Sequence, residues 1–269
     1  MTKTVSAVRN TEIAHLSEVG LTINGVQILS DISLSVGLDE IVGLVGSNGA
    51  GKSSVANVLC GYYRPTKGKV FLNGTDVTHT PAVKFTDMGV RRSFQNVSYL
   101  RGLSINELVM LDAEATWPVS FLSSYLLRRS SKIAELKVMR EATELLGSVG
   151  LGSYEHRMVE DCPYGVRKFA DVVRAFMAPK STIVILDEPT SGIGEVERSL
   201  LTNMIQALRE SRSIGALLVV DHDVSFIRSL CSRIVVLEEG KVLTSGPADE
   251  VFEDRRVISS FVGSRRKEL

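Results

Sequence analysis

The sequence predicts an α/β domain in which a mainly parallel sheet carries two additions, an antiparallel β subdomain near the N-terminus and a helical insert. Residues 13–36 alternate apolar and polar side chains, as antiparallel strands with one buried face do. Three continuous apolar runs, Ile41–Val45, Ile183–Leu186 and Ala216–Val220, are separated by helical segments, which indicates parallel strands. The segment from Arg101 to Asp161 has the three- and four-residue spacing of helices.

Tight turns and helix ends justify the individual elements. Asn24-Gly25 and Asn73-Gly74 are strong hairpin signals, and Glu239-Gly240 divides a third strand pair, Arg233 to Leu243. In the insert, one apolar stripe ends before Gly150, and glycine at this place predicts a helix C-cap. That stripe consists of Leu136, Met139, Ala142, Leu146 and Val149. Further helices are expected from Gly165 to about Ala178 and over Val257–Val262.

The composition excludes several classes of protein. The 269 residues include 31 basic and 31 acidic side chains, so no basic surplus indicates a nucleic-acid partner. Cys60, Cys162 and Cys231 form no C-x-x-C pair, and we expect free thiols in a reducing compartment. Residues 1–10 lack a signal-peptide core, and no window approaches the roughly 18 apolar residues of a spanning helix. The sequence therefore predicts a chain that does not cross a membrane.

The segment Gly46–Ser53 satisfies G-x-x-x-x-G-K-S between a buried strand and the helix expected over Ser53–Leu59. Glycines let backbone N–H groups converge on phosphate, Lys52 reaches the β- and γ-phosphates, and the Ser53 hydroxyl can ligate Mg²⁺. The fold class is thereby narrowed to a P-loop NTPase core. The predicted nucleotide-binding residues of this loop are Gly46, Ser47, Asn48, Gly49, Ala50, Gly51, Lys52, Ser53 and Ser54.

Two adjacent carboxylates end the apolar strand that begins at Thr182. Side-chain alternation points Asp187 and Glu188 in different directions, so that one can serve a metal ion and the other water. We expect Asp187 to hold Mg²⁺ and Glu188 to polarise the water that attacks the γ-phosphate.

These motifs and four further segments give the chain, from about residue 12 to residue 263, a resemblance to the ATP-binding subunits of ABC transporters. Gln95 lies where that family has its Q-loop, which senses Mg²⁺ and water. His222 matches the switch histidine that contacts the γ-phosphate. Asp161–Lys168 lies in the place of the signature loop, and Ser191–Gly194 in the place of the D-loop.

The resemblance implies how the chain is divided and what it works with. Residues 1–95 and 165–269 would form the ATPase core with its antiparallel β subdomain, and residues 96–164 the helical subdomain that ends in the signature loop. ATP and Mg²⁺ are the implied cofactors. The implied partners are a second ATP-binding subunit, identical or homologous, and transmembrane permease subunits, with a solute-binding protein as an indirect partner. The implied location is the cytoplasmic face of the cell membrane, as a peripheral subunit.

The signature segment departs from the family pattern. Tyr164, Gly165 and Val166 would cover ATP bound to the other subunit, but Pro163 and Tyr164 stand where a serine and a glycine are usual, and Val166 replaces glutamine. The backbone N–H groups at the start of the following helix would then hold the phosphate. A Tyr-Gly signature and the long insert are similar to branched-chain amino acid importer ATPases, which implies import of these or related small polar solutes.

Two other positions also differ, and alternatives stay open. Ile23 lies where many relatives stack an aromatic ring on adenine, and Gly194 replaces the usual D-loop aspartate. One alternative is a nucleotide-binding partner subunit with weak hydrolysis, suggested by Pro163 and Gly194. Another is a soluble ABC ATPase outside transport. Cys162 is expected near the dimer interface, or alternatively as a buried inert thiol.

Overall fold

The computed structural model describes residues 12–95, 100–114, 128–178 and 181–265. The strands within these ranges are β1 Glu12–Ile23, β2 Val26–Gly37, β3 Ile41–Gly46, β4 Lys67–Leu72, β5 Thr75–Asp76, β6 Val90–Arg92, β7 Ser181–Asp187, β8 Ile214–Val220, β9 Arg233–Glu238 and β10 Lys241–Pro247. The α-helices are α1 Lys52–Leu59, α2 Ala82–Asp87, α3 Ile105–Glu114, α4 Arg128–Ser148, α5 Tyr164–Met177, α6 Glu195–Ser211, α7 Val224–Leu230, α8 Ala248–Glu253 and α9 Arg255–Arg265. Parts of the predicted insert, 96–99 and 115–127, lie outside the described residues.

The first sheet is antiparallel and has the strand order β2-β1-β4-β5. Ile23 pairs with Val26 across Asn24-Gly25, a two-residue turn in which both φ angles are positive, 51° and 81°. The turn between β4 and β5 has the same length, because Leu72 pairs with Thr75. The predicted antiparallel β subdomain is therefore confirmed, including both turns.

The second sheet has the strand order β10-β9-β3-β8-β7-β6, and every pairing in it is parallel except that of β9 with β10. Leu44 of β3 and Asp187 of β7 both pair with Val220 of β8. The carboxyl ends of these three strands therefore lie level at one edge, which is where open parallel sheets bind ligands.

Hydrophobic cores lie on both faces of this sheet. Side chains alternate along β3, so that Ile41 and Val45 join one buried cluster and Val42 and Leu44 join the other. The cluster that contains Ile41 also includes buried residues of α3, α4, α5 and α6. The sheet is thus buried on both faces, as its uninterrupted apolar sequence predicts.

The helix predicted in the insert is confirmed as α4, but only the C-terminal half of its apolar stripe lies in the core. Ala142 and Leu146 are fully buried, whereas Leu136 is 54% and Met139 43% exposed. The reason is that the C-terminal half of α4 carries the buried residues that pack in the core with α3. Periodicity identifies the face of a helix, but it does not show how far the packing partner extends along it.

A buried cluster of charges joins the insert to the main sheet. The Arg174 guanidinium on α5 lies 2.7 Å from Asp112 of α3 and 2.8 Å from Asp171, one turn earlier on α5. The same guanidinium donates to the backbone carbonyl of Arg92 at 2.7 Å, and it stacks 3.8 Å from the centre of the Phe94 ring. Asp171 in turn accepts the Phe94 backbone N–H. Helices α3 and α5 are therefore anchored to the chain that leaves β6.

Arg174→Met is expected to lower the free energy of unfolding by about 3–5 kcal/mol, because it leaves the buried Asp171 carboxylate without its cation. Arg228→Met is the matched control. Arg228 also pairs with a carboxylate at 2.6 Å, that of Asp249, but these side chains are 55% and 75% exposed, and the expected loss is below about 1 kcal/mol. Urea unfolding measures both, and equal losses would contradict a structural role for the buried cluster.

Candidate functional site

The phosphate-binding loop predicted from the sequence connects β3 to α1. A Cβ atom at Gly46 would collide with the carbonyl oxygen of Leu237, and one at Gly51 would lie 2.7 Å from the Leu29 side chain. Glycine is therefore required where the loop passes its neighbours. Helix α1 begins directly after Gly51 without a side-chain cap, so that the first N–H groups of the helix remain available for an anion.

Lys52 lies over this loop and is only 5% exposed. Its ammonium group donates to the carbonyl oxygens of Gly46, at 2.8 Å, and Ser47, at 2.9 Å. Burial lowers the pKa of Lys52, and the carboxylates at the ends of β7 and β8 act in the opposite direction. A buried cation whose hydrogen bonds within the described residues go to neutral carbonyls is well placed to exchange them for phosphate oxygens.

Asp187 ends β7 with a fully buried carboxylate. Its Oδ2 atom lies 2.6 Å from Nη2 of Arg92, and its backbone N–H donates to Ser93 Oγ. Its Oδ1 atom is buried and has no hydrogen-bond partner among the described residues. Carboxylate and hydroxyl oxygens are the ligands that Mg²⁺ prefers, so the unpartnered Oδ1 fits the predicted metal role.

Glu188 turns the chain away from the direction of β7. Its φ angle is 48°, a left-handed conformation that costs a non-glycine residue about 1–3 kcal/mol. The backbone is held there by hydrogen bonds from Glu188 N–H to Val220 and from Lys168 Nζ to the Glu188 carbonyl, at 2.7 and 2.9 Å. The predicted base therefore lies on a backbone that the neighbouring strand and α5 keep in place.

Asp221 is a buried carboxylate that the sequence reasoning missed. Its oxygens accept hydrogen bonds from the Thr190 hydroxyl at 2.8 Å and from the backbone N–H groups of His222, at 2.7 Å, and Asp223, at 3.0 Å. Asp221 thus joins the turn after Glu188 to the turn that presents the exposed His222. The signal was available, because Asp221 ends an apolar strand just as Asp187 does.

The signature residues form the first turn of α5, whose N-cap is Pro163 without a side-chain hydrogen bond. A Cβ atom at Gly192 would lie 2.7 Å from the Tyr164 ring, and one at Gly165 would collide with the Glu197 carboxylate. The signature and the predicted D-loop are therefore neighbours within one chain. Val166, the third signature residue, is half-buried and packs against the larger core.

The remaining predicted residues lie around the edge where β3 ends. Gln95 is exposed shortly after β6, and Ile23 is half-buried at the end of β1, packed against the core that includes Ala50. Asn48 and Gly49 are exposed at the tip of the loop, whereas Ser53 and Ser54 are half-buried in the first turn of α1.

Cys162 is a buried thiol, as the alternative expectation has it, and its nearness to a dimer interface stays a prediction. Cys162 is 2% exposed and belongs to the larger core. A 3₁₀ helix, Val159–Asp161, precedes it and brings Val159 and Cys162 to the same inner side, as three-residue spacing does in such helices.

Comparison with known proteins decides the family. Residues 29–191, more than half of the chain, match the sequence model of a family described as ABC transporter. The chain belongs to the ABC transporter family. The predicted fold and the function of an ATP-binding, ATP-hydrolysing transporter subunit are thereby confirmed at the level of the ABC family.

Relatives in this ABC family match almost the whole chain. The high-affinity branched-chain amino acid transport ATP-binding protein BraF of Pseudomonas aeruginosa is 28% identical over 251 residues, which are 93% of this chain and 98% of BraF. The lipopolysaccharide export system ATP-binding protein LptB of Acidithiobacillus ferridurans is 30% identical and covers 88% of this chain and 91% of its own.

Solved ABC structures agree with the fold. A crystal structure of an ATP-binding cassette in its ADP conformation has a TM-score of 0.77 at 20% identity and covers 94% of this chain and 99% of its own. No helix within the described parts of this ABC subunit combines the length and the apolar character that a membrane span requires.

The three thiols should react slowly with an aromatic disulfide reagent at pH 8 in the folded protein. All three are buried, and burial raises the pKa of Cys60 to about 11 and also raises those of Cys162 and Cys231. A pKa raised by two units lowers the thiolate fraction roughly 100-fold. We expect Cys60 to be labelled at least about 100-fold more slowly than the thiol of a Val196→Cys variant, which replaces a side chain that is 77% exposed, and Cys162 and Cys231 also to be labelled more slowly than it.

Unfolding in guanidinium should release all three native thiols at once. Native labelling at the rate of the Val196→Cys thiol would show that the burial of the cysteines is wrong.

Proposed function

We propose that this subunit hydrolyses ATP at the sheet edge where β3, β7 and β8 end, and thereby drives import of branched-chain amino acids or a related small polar solute. The observation that carries the proposal is that three parallel strands bring Lys52, Asp187 and Glu188 to this edge. A phosphate-binding cation, a metal-binding carboxylate and a base are the groups that phosphoryl transfer to water requires.

Each group has a defined part in this mechanism. Residues 46–54 bind the phosphates of ATP through their N–H groups, and Lys52 exchanges its carbonyl partners for the β- and γ-phosphate oxygens. Ser53 Oγ and Asp187 Oδ1 would hold Mg²⁺, which neutralises charge on the phosphates. Gln95, exposed after β6, would help to hold the metal and its water.

The proton of the attacking water is assigned to Glu188. Its carboxylate accepts that proton as the water oxygen approaches the γ-phosphorus atom in line with the leaving oxygen. His222 contacts the γ-phosphate from the turn that Asp221 orders, and Ile23 provides an aliphatic surface for the adenine.

A second ATP-binding subunit would complete the site. Tyr164, Gly165 and Val166 would cover the γ-phosphate bound by the other subunit, with the free N–H groups of α5 as donors. Residues 1–95 and 165–269 would act as the core and 96–164 as the helical subdomain. The two helices described between residues 100 and 150, α3 and α4, support this division.

The transported solute is proposed from the relatives. BraF matches this chain over 98% of its own length, and its name assigns it to branched-chain amino acid transport. Transmembrane permease subunits would carry the solute, while this chain binds them as a peripheral protein on the cytoplasmic face of the membrane.

Co-purification with the permease and ATP-dependent uptake of radiolabelled leucine into vesicles test this. Uptake of no branched-chain amino acid would leave lipid export, the role in the name of LptB, as the next assignment to examine.

A nucleotide-binding subunit with weak hydrolysis is the second candidate. The observation that favours it is the signature, where Pro163 caps α5 without a side-chain donor and Val166 supplies no amide. The turnover of the chain alone and of the chain mixed with a homologous subunit distinguishes the two candidates.

Lys52→Ala is expected to weaken ATP binding roughly 100-fold, since charge-assisted hydrogen bonds to two phosphates are lost. Fluorescence titration with a labelled ATP analogue measures the affinity. Lys84→Ala removes an exposed lysine that pairs with Asp87 and should leave the affinity unchanged. If Lys52→Ala binds as tightly as the wild type, the loop is not the phosphate site.

Glu188→Gln is expected to lower ATP turnover by about 10² to 10⁴-fold without lowering ATP affinity, because the amide keeps the shape of the side chain but is not a base. Because each bound ATP that is not hydrolysed should bridge two subunits, the variant should accumulate as a dimer, which gel filtration with ATP and Mg²⁺ detects. Glu210→Gln, an exposed position on α6, is the control for the charge change. Wild-type turnover in Glu188→Gln would exclude this residue from the chemistry, and an inactive monomer would indicate an obligate heterodimer.

A further inference from the structure

Arg92 is the ion-pair partner of the carboxylate assigned to the metal. Its Nη2 atom lies 2.6 Å from Asp187 Oδ2, and the two side chains are 15% and 0% exposed. The other oxygen of that carboxylate has no partner among the described residues. The two oxygens of one buried carboxylate are therefore unequal, one held by a cation and one open.

We propose that Arg92 is a positioning residue that holds Oδ2 of Asp187 and thereby presents Oδ1 to the Mg²⁺ of the bound nucleotide. This inference rests on the proposed function, since it concerns the metal of the same site. In this role Arg92 acts through Asp187 rather than by binding the nucleotide or the metal itself.

The guanidinium group reaches two of the elements that form the site. While Nη2 binds Asp187 on β7, Nη1 donates to Asn57 Oδ1 at 2.6 Å. Asn57 lies on α1, one turn after the predicted metal ligand Ser53, so the two face the same side of that helix. Arg92 therefore sets the spacing between the helix that carries Ser53 and the strand that carries Asp187.

Arg92 is itself held in place by contacts with Arg174 and Tyr62. Its backbone carbonyl accepts the buried Arg174 guanidinium at 2.7 Å, and its own guanidinium lies 5.9 Å from the centre of the Tyr62 ring. Burial opposes its charge, but the hydrogen bonds and charges of Asp187 and Cys60 together outweigh burial and raise the pKa of Arg92. A planar, permanently charged fork that also binds Asn57 restricts rotation of the Asp187 carboxylate.

The two nearby buried lysines do not take this role. Lys52 Nζ binds the carbonyls of Gly46 and Ser47, and Lys168 Nζ binds the carbonyl of Glu188. Both cations thus hold backbone, whereas Arg92 holds the carboxylate itself. Groups that orient a ligating carboxylate in this way change metal affinity about 10- to 100-fold when they are removed.

Electrostatic repulsion between Arg92 and the metal ion alone would change the Mg²⁺ affinity in the opposite direction. A cation 2.6 Å from Asp187 competes with Mg²⁺ for the carboxylate, so that its removal would tighten metal binding. Positioning predicts weaker metal binding when Arg92 is removed, and competition predicts stronger binding. The direction of the change therefore decides between them.

The experiment titrates Mg²⁺ into the full chain with a fluorescent ATP analogue and measures the metal concentration that gives half of the gain in affinity. Arg92→Gln should raise this concentration about 10- to 100-fold, while the affinity in EDTA stays within about twofold of wild type. Arg92→Lys, which keeps the charge but not the fork, should give an intermediate value. Arg91→Gln is the matched control, because the equally cationic and buried Arg91 binds only the carbonyls of Thr86 and Val90 in the described structure.

A double variant tests that Arg92 acts through Asp187. In an Asp187→Ala background, Arg92→Gln should cause no further change in the Mg²⁺ dependence. If Arg92→Gln unfolds, Arg92→Lys alone decides, and an unchanged Mg²⁺ dependence in it overturns the inference. If the Mg²⁺ concentration for half of the gain in affinity is the same in Arg92→Gln as in the wild type, or lower, the inference is overturned as well, while the proposed function stands. A wild-type chain that binds ATP without any response to Mg²⁺ overturns both.

Discussion

Charged side chains are buried at the carboxyl edge of the main sheet, and the arrangement around them follows from the cost of burying charge. Lys52, Lys168, Asp187 and Asp221 are each at most 5% exposed. A buried charge without a partner is strongly unfavourable, so each of them requires groups from another part of the chain. Those groups come from the phosphate-binding loop, from the turns after β7 and β8, and from β6. The contacts thereby fix these elements relative to one another.

The same cost makes two buried groups of the candidate site, Lys52 and Asp187, suited to binding a charged ligand. Among the described residues, the hydrogen bonds of the Lys52 ammonium group go to two backbone carbonyls, and one oxygen of Asp187 has no partner. Under the proposed function, a triphosphate with its metal would supply an anion for the lysine and a cation for the carboxylate. The backbone at Glu188 is already held by β8 and α5 without a ligand.

The sequence predicted those parts of the fold and site that lie within short, continuous motifs. The loop 46–53, the carboxylates after β7 and the Asn-Gly turns each combine residue type with a local context, and local context is what periodicity and turn chemistry report. The contact between Arg92 and Asp187 joins residues 95 positions apart, and no local pattern contains it. A partial signal existed on α5, where Lys168, Asp171 and Arg174 follow at three-residue spacing on a face that proved buried. Charged residues on an inner face indicate that partners must exist, but only the tertiary structure identifies them.

The departures from the family pattern lie on the signature side of the chain and not at the phosphate-binding loop. The loop, Asp187 and Glu188 keep the residue types that phosphoryl transfer requires, whereas Pro163 and Val166 remove side-chain donors. Tyr164 packs on Gly192, so the signature turn is tied to the D-loop of its own chain even without those donors. A helix N-terminus with free N–H groups is less selective than a hydroxyl, but it is rigid when the residues around it are packed. We therefore infer that the signature of this chain depends on the position of α5, which the buried Asp171–Arg174 cluster fixes against the chain that leaves β6.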